Sequence, residues 1–168
     1  MRLTAGDKIV YPSQGPCIIG PIVERVIGDR TLMFYQLVVL NEGGDLFVPV
    51  DKVKAVGIRQ LLEKSEIPKL LDQLKKPAKA ADSWRQRNLE NLRLFASGSA
   101  FDLAEIVETL TELSETKSLS FGECNKLERA KRLLICEISE VTGETKQQVE
   151  QQVDDALKSR KKAVATTA

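Results

Sequence analysis

The chain reads as an α+β fold, a small antiparallel β barrel followed by an all-α bundle of about five helices. Three observations predict it. The first sixty residues carry short β-branched runs cut by Gly, Pro, Asn and Asp. From about Val56 the apolar residues recur at helical spacing instead. The length of 168 residues suits one large domain or two small ones, at roughly 100–200 residues per domain. The predicted division is 1–55 for the β domain, 56–160 for the helical domain and 161–168 for a frayed tail.

In the β part, Lys8-Ile9-Val10-Tyr11 is followed by the turn Pro12-Ser13-Gln14-Gly15. A run from Cys17 to Val26 precedes a turn at Gly28-Asp29-Arg30. Leu32 to Leu40 leads to the turn Asn41-Glu42-Gly43-Gly44, and Asp45 to Val50 closes the set. A barrel of Tudor or SH3 size accommodates these strands. Pro21 and Pro49 cannot donate to a ladder and belong at edges or strand ends.

In the helical part, Ile58, Leu61 and Leu62 form a first short apolar face. Ser65 is a candidate cap for a helix bearing Ile67, Leu70, Leu71 and Leu74, with Pro68 tolerated in the first turn. A basic loop from Lys75 to Ala81 leads to Asp82, read as the cap of a helix through Trp84, Leu89, Leu92 and Phe95 that stops near Gly98. Ser99 can cap the next helix, with Leu103, Val107, Leu110 and Leu113 on one face. Ser120-Phe121-Gly122-Glu123 has the capping-box pattern, followed by Leu127, Ala130, Leu134, Ile138 and Val141. Gly143 marks a stop, and Thr145 opens a last helix with Val149, Val153 and Leu157.

Composition argues against several kinds of chemistry. The chain has no histidine, which removes the commonest general base and zinc ligand. No phosphate-cradling glycine motif is present. Cys17, Cys124 and Cys136 have neither disulfide-framework nor zinc spacing and read as small buried hydrophobes in a reduced, cytoplasmic protein. No apolar run has the length of a membrane span. The expectation is therefore a protein that is not an enzyme, with no cofactor, metal, membrane or small-molecule substrate.

Net charge is +1, but unevenly spread. Residues 1–60 hold seven Lys/Arg and six Asp/Glu, residues 61–98 eight and five, and residues 99–168 ten and thirteen. The basic excess is in the middle, around Lys75, Lys76, Lys79, Arg85, Arg87 and Arg93, although such an excess also describes a solvated face. Trp84, the single tryptophan, lies beside it. At 100° per residue Trp84 is about 80° from Leu92 and roughly 20° from Phe95, so both a core and a surface position are open. An aromatic flanked by arginines suits nucleic acid, because cations release counterions from phosphates while a flat ring can enter an unstacked step. Arg25 and Phe47 suit a protein interface, while a solvated Arg and a core Phe are the simpler readings.

These pieces taken in order resemble the CarD/CdnL family of bacterial RNA polymerase-binding transcription regulators. The resemblance runs through Gly6-Asp7-Lys8-Ile9-Val10-Tyr11-Pro12 with Gly15, Phe47-Val48-Pro49-Val50 and Val56-Gly57-Ile58-Arg59. It continues at Ser83-Trp84-Arg85-Gln86-Arg87, Ala96-Ser97-Gly98, Leu119-Ser120-Phe121-Gly122-Glu123 and Ala130-Lys131-Arg132-Leu133-Leu134. No single motif is specific; their ordered set is.

The resemblance implies a Tudor-like domain that docks on the polymerase β subunit, similar to that of the transcription-repair coupling factor. It also implies a helical domain that contacts promoter DNA at the upstream edge of the bubble, where a tryptophan wedges into the minor groove and holds the open complex. Trp84 falls at that position, Arg87 at a basic position beyond it, and Arg25 at a polymerase-contacting arginine. Phe47 and Pro49 complete the implied polymerase contact, Phe47 standing where some relatives have a second arginine. Gln86 and Leu89 thin the basic run, so Arg85, Lys75, Lys76 and Lys79 are the candidates to supply the charge. The competing reading is a protein–protein adaptor without DNA contact, in which Trp84 is sealed inside the bundle.

Overall fold

Period-two burial organises the first half of the chain. The computed structural model describes the backbone of residues 3–77 and 83–167 and the side chains as far as Arg160. Strands β1 (Lys8–Tyr11), β2 (Gly15–Ile27), β3 (Arg30–Val39), β4 (Asp45–Pro49) and β5 (Arg59–Gln60) form one antiparallel sheet in the order β4-β3-β2-β1-β5. Alternate side chains, among them Ile9, Cys17, Ile19, Leu37, Val39 and Val48, make a core that Val53 and Ile58 complete. The β2–β3 register breaks between Ile19 and Ile22, so Pro21 sits at a bulge. Since β1 pairs with β2 only as far as Ile18, the ladder there has a single neighbour and tolerates proline.

The junction differs from the expectation. Helix α1 (Val53–Val56) ends at Gly57, whose φ of 87° is left-handed. Ile58 then turns into the sheet core, and Arg59 and Gln60 pair with Val10 and Ile9. The predicted helical face of Ile58, Leu61 and Leu62 does not form, and the sheet continues through Gln60, beyond the boundary expected at residue 55.

Helices α2 (Ile67–Leu74), α3 (Trp84–Ser97), α4 (Ala100–Thr116), α5 (Phe121–Thr142) and α6 (Lys146–Thr167) make the second half. Their buried faces, including Leu70, Leu74, Leu94, Ile106, Leu110, Leu134, Ile138 and Val153, share a second core. Each fully buried aliphatic side chain contributes about 1.5–3 kcal/mol. Local capping sets the starts. A reciprocal Glu63–Glu66 box, not Ser65, leads through a 3-10 turn into α2. Ser83 occupies the cap position of α3, one residue after the predicted Asp82, which lies outside the described residues. Ser99 holds the cap position of α4 without a side-chain bond, whereas Ser120 and Glu123 form a full box on α5. Thr145 and Gln148 exchange bonds at the start of α6. That helix runs to Thr167, where a frayed tail was expected; the Lys- and Ala-containing stretch has good helix propensity.

Two further departures concern single residues. Cys17 and Cys136 are buried, and desolvation pushes the Cys17 thiol up to about 11, but Cys124 is exposed. Arg160, only 2% exposed, donates from Nη1 to the Glu108 carbonyl at 2.9 Å. The Glu108 side chain is buried beside it, and burial raises its carboxyl to about 7. Among the described residues no helix is long and apolar enough to cross a membrane.

Candidate functional site

Two exposed surfaces stand out, one on each half. The first is the start of α3. Ser83 adopts extended geometry and its Oγ accepts from the Gln86 N–H at 3.2 Å, fixing the first turn. Trp84, the first helical residue, is 58% exposed. The reading of Trp84 as a sealed core aromatic therefore fails. Arg85, Leu89 and Leu92 on the same helix are also exposed. Leu89 and Leu92 were expected to face the core; the buried face of α3 instead runs through Asn91 and Leu94.

Arg87 is differently placed. Its Nε lies 3.4 Å from Glu123 Oε2, with both side chains largely buried. One residue further along α3 and three along α5, Lys126 Nζ donates to Asn88 Oδ1. The first turns of α3 and α5 are thus tied side by side, with both N-termini at one end of the bundle. This brings up Phe121, the first residue of α5, which is 83% exposed. It escaped selection because it entered the sequence reading only as part of a capping box. Its position gave a usable signal: Phe121 is about 180° from Ala130 at 100° per residue, opposite the buried stripe. Two helix N-termini carry partial positive charge, so this end presents a large apolar surface in a field that favours phosphate. Lys76 is exposed, and Lys75 lies 3.8 Å from Asp72. Lys79 lies outside the described residues.

The second surface is the outer face of the sheet. The registers Arg25↔Leu32, Phe34↔Pro49 and Gln36↔Phe47 place Arg25, Phe47 and Pro49 on the face opposite Leu37 and Val48. The Arg25 guanidinium sits over the Phe47 ring, 4.1 Å from its centroid. Phe47 is thus an outer-face residue at 38% exposure, not a core one, and Arg25 is stacked, not simply solvated. Such a cation–π contact contributes about 0.5–1 kcal/mol at an exposed site and holds the guanidinium flat against the sheet. Leu32 and Val38 continue the same face as exposed apolar residues.

Among the described residues no cluster of His, Cys, Asp or Glu could hold a metal ion. Both surfaces set exposed apolar side chains beside cationic ones, which suits macromolecules.

Comparison with known proteins agrees with this division. The model for the CarD-like/TRCF RID domain matches residues 3–62, and the model for the CarD C-terminal domain matches residues 69–154. A protein of Bacillus subtilis (strain 168) named as a candidate transcription factor, YdeB, is 25% identical over 145 residues, covering 86% of this chain and 95% of that one. The solution structure of the 72-residue N-terminal domain of Myxococcus xanthus CarD aligns over 35% of this chain and 79% of its own, at 34% identity and a TM-score of 0.30. With both halves matched in order, the chain belongs to the CarD family and is a transcription regulator.

Proposed function

We propose that the protein binds the RNA polymerase β subunit through the sheet face bearing Arg25, Phe47 and Pro49, and stabilises the open promoter complex through Trp84. The observation that carries this reading is the exposure of Trp84 at a capped helix N-terminus. A rigid first turn holds the indole outward, and the exposed Arg85, Lys75 and Lys76 are the cations assigned to phosphates in this reading. Arg87 has its Nε engaged by Glu123. Its role is then chiefly to fix the turn that carries Trp84. Phe121 and Leu92 widen the apolar surface that meets the minor groove.

The mechanism is linkage. A ring inserted in a minor groove costs a few kcal/mol of unstacking unless the DNA is already distorted. The upstream edge of the bubble is distorted only in the open complex. Preferential binding there shifts the closed–open equilibrium, and a tenfold shift requires about 1.4 kcal/mol. Polymerase supplies the effective concentration, so intrinsic DNA affinity can be weak. Phosphate and wedge contacts position without reading sequence.

Trp84→Ala is expected to shorten open-complex lifetime about tenfold, while binding to an isolated β fragment stays within twofold. An unchanged lifetime removes the wedge. Arg25→Glu is expected to weaken binding to that fragment, and undiminished binding removes Arg25 from the contact. Free-DNA affinity should fall with salt with a log–log slope of about −3, for three or four phosphates.

A further inference from the structure

One side chain of the sheet reaches two helices of the bundle at once. Arg59 belongs to the sheet by its backbone, paired with Val10. Its guanidinium reaches into the bundle: Nη1 and Nη2 donate to the two carboxylate oxygens of Glu137 at 2.8 and 2.7 Å, and Nε donates to the Gly98 carbonyl at 2.7 Å. Glu137 is 2% exposed, and its Oε2 also accepts from the Leu62 N–H at 2.9 Å. The fork is therefore bidentate, with Glu137 buried and the Arg59 side chain 25% exposed, a geometry that leaves an arginine little freedom.

Gly98 is the C-cap of α3, the helix whose first residue is Trp84. Arg59 thus holds the far end of that helix, where carbonyls concentrate negative charge, and at the same time belongs to the sheet that carries Arg25 and Phe47. Other contacts surround the fork. A Cβ on Gly98 would stand 3.1 Å from Pro12 Cγ, and one on Gly15 would stand 2.8 Å from a Leu133 methyl. Arg129 donates to the Ser13 carbonyl at 2.6 Å, and Lys8 pairs with Glu140 at 2.7 Å. These are peripheral or purely steric. Among the described residues the Arg59 fork joins the strand, α3 and α5 at one point.

We propose that Arg59 is a positioning residue: its fork on Glu137 and Gly98 fixes the direction of α3 relative to the sheet, and so sets where Trp84 lies when the sheet is docked. The inference rests on the proposed function for its consequence but not for its geometry. Two rigidly joined contacts bind with an effective concentration that a hinge between them would dilute.

The test uses the full chain with Cys124→Ser and spin labels at exposed positions 42 and 93, one on each half. Paired replacement, Arg59→Met with Glu137→Met, removes both charges together and avoids an orphaned carboxylate. Arg59→Lys keeps the charge and loses the fork. Both variants should broaden a narrow inter-label distance distribution, the paired one more. Affinity for the β fragment and for forked DNA, measured separately, should stay within twofold. Open-complex lifetime should fall about tenfold. A distribution as narrow as the wild type's overturns the inference. So does a broadened one with unchanged lifetime, provided Trp84→Ala still shortens it. If Trp84→Ala has no effect either, the functional reading has failed, and the clamp stands or falls on the distance distribution alone.

Discussion

The two ends of α3 are built to opposite requirements. At its start, Ser83 caps the helix with its own hydroxyl and Trp84 stands 58% exposed beside Arg85. At its end, Leu94 is 1% exposed, Gly98 is left-handed against Pro12, and Arg59 closes the carbonyl. A helix anchored to the sheet at one end, and at the other tied to α5 with its first residue turned outward, is fixed in direction along its whole length. Its buried residues lie toward the anchored end, and Trp84, Leu89 and Leu92 stay exposed. This explains why α3 has a mean buried face of only two residues, Asn91 and Leu94, where α5 has eight.

The largest expected effect tests the anchored end. Gly98 and Gly143 are both left-handed C-caps, at φ 74° and 77°. An added Cβ meets Pro12 at Gly98 and open space at Gly143. Gly143→Ala should therefore cost only the conformational term, about 1 kcal/mol, and Gly98→Ala about 2–3 kcal/mol, because Pro12 must also give way. Urea unfolding of the two variants measures the difference. Equal losses would mean that the β1–β2 turn yields without cost, and that the α3 end is anchored by Arg59 only.

This contrast also explains what could be read from the sequence. The strands and their turns were legible because Gly, Pro and Asn cut the β-branched runs where the sheet reverses. The box at Ser120 and the helix start at Thr145 were legible because capping is local. The face of α3 was not. Its sequence holds Leu89, Leu92, Leu94 and Phe95 around much of the helix, so hydrophobicity alone assigns Leu89 and Leu92 inward. The deciding contacts are polar and distant: Arg87 to Glu123, Asn88 to Lys126 and the carbonyl of Gly98 to Arg59. The stretch after Val56 was misread for the same reason, since Ile58 continues an apolar pattern that only the β1 pairing turns back into the sheet. The candidate sites depended on order and likeness more than on pattern: Trp84 was ambiguous by periodicity, and Phe121 was not selected at all.

A smaller effect probes whether the anchored end couples the halves. Glu108 is buried on α4, and burial raises its carboxyl to about 7. A raised carboxyl favours the folded state in its protonated form, so its contribution is present at low pH and is lost as pH rises from the ordinary carboxylate range through about 7. Glu108→Gln should match the wild type near pH 5 and be more stable by roughly 1–2 kcal/mol near pH 8. The gain arises in the bundle alone. Followed by Trp84 fluorescence and by tyrosine signals from the sheet residues Tyr11 and Tyr35, it should nevertheless shift both transitions together. A shift confined to the bundle probe would show that the junction transmits little stability.

The smallest expected effect belongs to the exposed start of α3. Trp84→Ala and Leu92→Ala should each change stability by less than about 0.5 kcal/mol, the range of surface substitutions. Both side chains are more than half exposed, at 58% and 57%, and neither belongs to the bundle core. The first turn of α3 keeps its Ser83–Gln86 bond whatever stands at position 84. Denaturation monitored by far-ultraviolet circular dichroism is the suitable measurement, since it does not depend on the tryptophan being removed. A loss above about 1.5 kcal/mol at Trp84 would mean that the indole braces the bundle, and its exposed part would then be incidental. A neutral result leaves a large apolar ring that the fold does not need, and a residue that folding does not require is kept for what it touches outside the molecule.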